Sequence, residues 1–180
     1  MSRRWVPNIL TVINLFAGIV AIMAAFLHQR EMAVLLIMAA ALFDSVDGRI
    51  ARRLNIASAG RKLDIFSDFV SFGVAPVTVA YFLDFVNIGI NGCLLVAVFP
   101  LCGLVRLVKF NIFQVKGYYV GLPITFAGAV LAVWAYLAQS LPIIVQSTVM
   151  LVLAALMVLA VRVPKLWLGR RSVSKNNNAL

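Results

Sequence analysis

The sequence predicts an all-α integral membrane fold: six transmembrane helices around a polar cavity that opens to the cytoplasmic face. Apolar residues make up 63% of the 180 residues and charged residues 12%, and the mean hydropathy is +1.02. A water-soluble domain is about half apolar and about a quarter charged, so lipid is the solvent that suits this composition. The apolar residues gather in six runs, at about 9–27, 32–52, 61–83, 88–108, 121–138 and 142–161. Each is near the roughly 20 residues that a helix needs to cross the hydrocarbon core. The 16 lysines and arginines gather near the ends of the runs, and in a six-span arrangement 15 of them fall on one side and one, Arg30, on the other.

The first run follows Arg3 and Arg4, the outline of a secretion signal. No small-residue cleavage site closes it and five further spans follow, so it is expected to stay as the first helix. The second run turns polar in its last third, and the third is polar at its start. A loop of about seven residues joins them, which makes the two helices antiparallel neighbours. The fifth run opens with Gly121, Leu122 and Pro123, and proline suits a first helical turn. Residues 1–165 are expected to form one membrane domain, followed at 166–180 by a basic and polar tail expected to be disordered.

With six spans, both termini lie on one side. That side also carries Arg49, Arg52, Arg53, Arg61 and Lys62, then Arg106, Lys109 and Lys116, then the basic residues after the sixth run; the other side holds only Arg30. Cytoplasmic loops are rich in lysine and arginine. The expected topology is therefore multi-pass in the cell membrane, with both termini cytoplasmic. The net charge of +10 then lies at headgroup level and suits anionic lipid. Nucleic acid is disfavoured, because no basic helix or aromatic platform stands clear of the apolar runs. Cys93 and Cys102 fall within one apolar run and read as small apolar residues rather than a disulfide or a metal pair.

Of six acidic residues, Glu31 and Asp84 fall in outward loops and call for no special role. The other four, Asp44, Asp47, Asp64 and Asp68, lie where the second run ends and the third begins. Charge within a span is costly and usually faces a bundle interior or a water-filled cavity. Asp44, Asp47, Gly48 and Ala51 are three, one and three residues apart, and Asp64 and Asp68 are four apart, so each set shares one helix face. Four carboxylates brought together repel and need cations. Arg49, Arg52, Arg53 and Arg61 could supply them in a structural ion-pair cluster. Alternatively, an all-oxygen site suits magnesium or manganese, and two such ions can clamp a phosphoryl group. Gly48 and Gly60 leave room for a substrate to approach the backbone.

From Asp44 the chain reads D-S-V-D-G-R-I-A-R, then seven residues, then G-R-K-L-D-I-F-S-D. This resembles the motif of the CDP-alcohol phosphotransferases, with eight defined positions matched in order on two helices. Further stretches resemble the phosphatidylserine synthase branch: P-N-I-L-T-V-I-N-L-F-A-G at 7–18, S-F-G-V-A-P at 71–76, R-L-V-K-F-N at 106–111 and G-L-P-I at 121–124. The short form with six spans looks like the enzymes of Gram-positive bacteria. Two features depart from the branch. The spacer before Gly60 is one residue shorter than usual, and Lys62 and Ile65 stand where an acid and a serine are common.

The resemblance implies transfer of a phosphatidyl group from CDP-diacylglycerol to the hydroxyl of L-serine, releasing CMP. It implies two divalent cations held by Asp44, Asp47, Asp64 and Asp68, with Asp68 also taking the proton of the attacking hydroxyl. Gly48, Ala51, Arg52 and Gly60 would line the nucleotide site, and a homodimer is the expected assembly. Asn8, Thr11 and Asn14 form a polar stripe on the first helix that either glues helices together or, through Asn8 and Thr11, touches the CDP-lipid. Arg106 and Lys109 contact headgroups or bind phosphate or the serine carboxylate. Ser71 lies near the acceptor or permits close packing. A sister enzyme with another acceptor, glycerol 3-phosphate or an inositol phosphate, is the first rival reading. A cation transporter is the second, but it would place acids near the midplane of both halves, and no acidic residue follows Asp84.

Overall fold

The computed structural model describes residues 5–54, 61–113, 118–159 and 162–164. Gly60 and the tail at 166–180 lie outside the described residues, as do the side chains of Asn8, Ala51 and Arg52. Helices α1 (Trp5–Phe26) and α2 (Arg30–Leu54) form a hairpin closed by a turn in which His28 takes a positive φ of 58°. Their mutual face is built of small residues, Ala17, Ala21, Ala24 and Ala25 on α1 against Ala33 and Ala40 on α2. Large apolar side chains point the other way, among them Phe16, Met23, Leu35 and Leu42. A soluble protein buries its large apolar residues, whereas packing between helices in lipid relies on small ones. The outward face of this hairpin is therefore suited to lipid.

The third run is one continuous helical path with changing pitch. Helix α3 (Arg61–Asp68) widens into a π-helical segment (Phe69–Val74), tightens into α4 (Ala75–Ala80), and widens again (Tyr81–Phe85) before a 3₁₀ turn at Val86–Ile88. Pro76 at the start of α4 accounts for the first widening. It has no N–H to donate to the Phe72 carbonyl, and its ring would strike that carbonyl in a regular α-turn. The π-turn moves the carbonyl aside, and the Ala75 N–H bonds to Val70 O instead.

Helices α5 (Ile90–Phe113), α6 (Ile124–Leu137) and α7 (Ile143–Val158) complete six helical runs among the described residues. Three stretches, Ile9–Phe26, Lys62–Ile88 and Ile90–Lys109, are long and apolar enough to cross a membrane; α6 and α7 are shorter apolar helices. One element was not expected from the all-α prediction. Strand β1 (Tyr118–Val120) pairs antiparallel with β2 (Arg162–Pro164). The ladder joins the approach to α6 with the exit from α7, and Leu122 N–H donates to Leu156 O at 3.1 Å. At Gly121, φ is 75° and an added Cβ would lie 2.5 Å from Met157 O. Only glycine meets both demands.

Glycines also seat the π segment. A Cβ at Gly18 of α1 would lie 2.8 Å from Ser71 Cα, and one at Gly128 of α6 2.8 Å from Phe72 Cα. Backbone cannot yield as a side-chain tip can. Gly128→Val is expected to cost about 1–3 kcal/mol through overpacking. The measurement is the melting temperature of detergent-purified protein, with Gly128→Ala falling between wild type and the valine variant.

At the end of α2 remote from its aspartates, Arg30 Nη2 lies 3.7 Å from Asp84 Oδ1, with side-chain exposures of 18% and 7%. The sequence placed both residues in outward loops. Both are in helical segments, and Asp84 is a largely buried ion-pair partner, because the third run continues to Ile88.

Candidate active site

Helix α2 brings Asp44 and Asp47 toward α3, which carries Asp64 and Asp68. Asp44, Asp64 and Asp68 each offer a carboxylate oxygen, and the three atoms lie within 4.8 Å of one another. Like charges this close repel strongly once withdrawn from water. Oδ1 of Asp68 is buried and has no hydrogen-bond partner among the described residues. An unpartnered buried acceptor beside two other carboxylates is a fitting environment for a cation, and the all-oxygen donor set favours a hard divalent one.

Asp47 stands beside this trio rather than within it. It is 5% exposed, close enough to Asp44 and Asp64 to feel their charges, and it accepts a hydrogen bond from Thr11 Oγ1 at 3.3 Å. On the other flank, Thr125 Oγ1 of α6 donates to Asp44 Oδ2 at 3.1 Å. Helix α1 holds the third run by two further bonds, Ser67 Oγ to Thr11 O at 3.2 Å and Ser71 Oγ to Asn14 O at 3.0 Å.

Arg106 reaches the cluster from α5. Its guanidinium lies within electrostatic range of Asp68, and its Nε is buried without a hydrogen-bond partner among the described residues. No ion pair within 4 Å holds it among the described residues. A half-buried guanidinium in that condition is suited to an anionic ligand, since an unpaired buried charge is costly. Lys109, one turn on, is exposed.

A carboxylate trio that fits a hard cation, with an unpaired arginine beside it, is an arrangement for handling phosphate. The family model for CDP-alcohol phosphatidyltransferase matches residues 4–162. The chain belongs to this family. It is 38% identical over 135 residues to the CDP-diacylglycerol–serine O-phosphatidyltransferase of Bacillus subtilis (strain 168), covering 74% of this chain and 76% of that one. It is also 38% identical over 131 residues to the protein of that name from Helicobacter pylori (strain 26695), with coverage of 71% and 55%. An archaetidylserine synthase of Methanothermobacter thermautotrophicus is 32% identical over 165 residues, with coverage of 88% and 69%. The chain thus spans about three quarters of the Bacillus relative and about half of the Helicobacter one.

The family motif read from the sequence therefore falls on a real convergence of side chains. Asp44, Asp64 and Asp68 meet, while Asp47 and the half-buried Gly48 lie alongside on α2. Thr11, expected beside the CDP-lipid, has its hydroxyl on Asp47. Ser71, expected near the acceptor, is fully buried with its hydroxyl engaged by α1. Asn14 is fully buried too, and its side-chain amide has no hydrogen-bond partner among the described residues. Thr125 was not among the sequence candidates. Its one sequence signal is a hydroxyl in the first turn of an otherwise apolar helix.

Proposed function

We propose that this chain transfers the phosphatidyl group of CDP-diacylglycerol to the hydroxyl of L-serine, giving phosphatidylserine and CMP. The observation that carries the reading is the convergence of Asp44, Asp64 and Asp68 on the family motif; the serine transferases among the relatives supply the acceptor. Asp44, Asp64 and Asp68, with Asp47 alongside, would hold two divalent cations, magnesium or manganese. Bound there, such cations would supply charge neutralisation at the pyrophosphate.

Asp68 accepts the proton of the serine hydroxyl as its oxygen attacks the lipid-bearing phosphorus. A new P–O bond forms to serine, the P–O bond to the bridging oxygen breaks, and CMP leaves with the bonding pair. A neutral hydroxyl is a poor nucleophile, so a positioned base matters. Arg106, with Lys109 near the surface, takes the serine carboxylate or a phosphate. Gly48, Ala51, Arg52 and Gly60 line the nucleotide, and Asn8 touches the CDP-lipid. Ser71 would reach the acceptor only by giving up its bond to Asn14 O. Both termini and the site face the cytoplasm across six spans, a reading that the distribution of basic residues supports. The basic and polar tail at 166–180 follows the membrane domain at that surface, and the assembly is a homodimer.

The test is CMP release from CDP-diacylglycerol by detergent-purified protein, with L-serine, glycerol 3-phosphate or an inositol phosphate as separate acceptors. Release is expected with serine alone, in magnesium or manganese, and is expected to stop on chelation. Release with a different acceptor only would make this a sister enzyme, with Lys62 and Ile65 the first residues to exchange. Folded protein that releases no CMP with any acceptor would sink the enzyme reading.

A further inference from the structure

Two threonine hydroxyls from helices outside the motif each end on a carboxylate of α2. Thr125 Oγ1 of α6 donates to Asp44 Oδ2 at 3.1 Å, and Thr11 Oγ1 of α1 donates to Asp47 Oδ2 at 3.3 Å. We propose that Thr125 and Thr11 are positioning residues, which fix the orientation in which Asp44 and Asp47 meet the divalent cations. The inference rests on the metal reading above.

An aspartate side chain on a helix turns about two bonds. Three carboxylates within 4.8 Å of one another repel, and without restraint they would swing apart between turnovers. A hydrogen bond to one oxygen stops that rotation. The donor must be neutral, because a lysine or arginine in its place would offset the charge that attracts the cation. Threonine also has few χ1 choices, so its own hydroxyl is held in place. Partners of this kind orient metal-ligating carboxylates, and their loss typically weakens metal binding or activity about 10- to 100-fold.

The fold holds Thr125 firmly enough to play this part. It lies one residue into α6, whose start is fixed by the Leu122–Leu156 hydrogen bond and the close approach of Gly121 to Met157. One turn later Gly128 rests on the backbone of Phe72, in the π segment that follows Asp68. Helix α6 therefore touches both halves of the carboxylate group, Asp44 through a hydrogen bond and the Asp68 helix through packing. Thr11 has the matching place on α1, since its carbonyl accepts Ser67 and its hydroxyl serves Asp47.

The experiment is a manganese titration of the detergent-purified full chain, followed by the electron paramagnetic resonance signal of free Mn²⁺. Wild type, Asp44→Asn, Thr125→Val, Thr125→Ala, Thr125→Ser and Thr11→Val are compared. Thr125→Val is expected to raise the Mn²⁺ Kd about 10- to 100-fold, with Thr125→Ser within about threefold of wild type. Thr11→Val is expected to shift it in the same direction. If the valine variant does not fold, the alanine and serine variants carry the comparison, since they differ by the hydroxyl alone. Wild-type affinity in both hydroxyl-less variants, or equal losses with serine and alanine, would overturn the inference while leaving the metal site in place. Wild-type protein that binds no Mn²⁺ would remove the metal reading and this inference together.

Discussion

Asp68→Asn is expected to cut serine-dependent CMP release about a thousandfold, within the range for loss of a general base. The substitution keeps the size and shape of the side chain and removes the charge and the proton-accepting capacity. It is preferable to alanine, which would open a void where α3 passes into the π segment. One oxygen of Asp68 differs from those of its neighbours. Asp44 and Asp47 each accept a threonine hydroxyl, whereas Oδ1 of Asp68 is buried with no hydrogen-bond partner among the described residues. A buried acceptor left unpaired costs about 1–3 kcal/mol, and more when it is charged. That cost makes sense for an oxygen that exchanges protons or contacts a cation during turnover. The measurement is initial-rate CMP release at saturating metal, with folding checked by elution profile and melting temperature. A loss below tenfold in folded protein would remove Asp68 from the chemistry. Full activity recovered by raising manganese would leave it a metal ligand and hand the proton to another group.

The carboxylate cluster was legible because helical spacing is a local property. Asp44 with Asp47, and Asp64 with Asp68, follow the three- and four-residue periodicity, and the short spacer forces the two helices together. Spacing could not tell which three would converge. Residues three apart are rotated by about 60° around a helix, and that turn carries Asp47 toward Thr11 on α1 while Asp44 meets the α3 pair. Thr125 was illegible for a different reason: it meets Asp44 across 81 positions of sequence, a contact that depends on how α6 packs. The ion pair of Arg30 and Asp84 was missed because the third run extends past the expected end of its apolar stretch and carries Asp84 into helix. The π segment has one local cause, Pro76, but proline alone does not say whether a helix will kink, break or widen. The β1–β2 ladder joins two three-residue pieces, one from a segment read as a loop before the fifth run and one from the last residues of the membrane domain after the sixth, too short for any alternation to register.

Exchange of Arg106 carries the second large effect, and it separates two accounts of the same guanidinium. If Arg106 binds the carboxylate of serine, its planar fork makes two parallel bonds that lysine cannot reproduce. Loss of a desolvated, hydrogen-bonded charge partner costs about 2–5 kcal/mol, so Arg106→Lys is expected to raise the KM for serine by roughly 30-fold or more. The KM for CDP-diacylglycerol should then change little. If the guanidinium holds phosphate instead, the rise falls on CDP-diacylglycerol, and lysine retains more function because a point charge serves a phosphate well. The position of Arg106 suits either role. It lies within electrostatic range of Asp68, and among the described residues its Nε has no hydrogen-bond partner and no ion pair within 4 Å holds it. The exposed Lys109 is the internal comparison. A lysine that meets only headgroups can be replaced by glutamine with no change in either KM. Should Arg106→Lys also leave both constants unchanged, the arginine belongs with Lys109 at the lipid surface, and the acceptor's anionic group must be held by another residue.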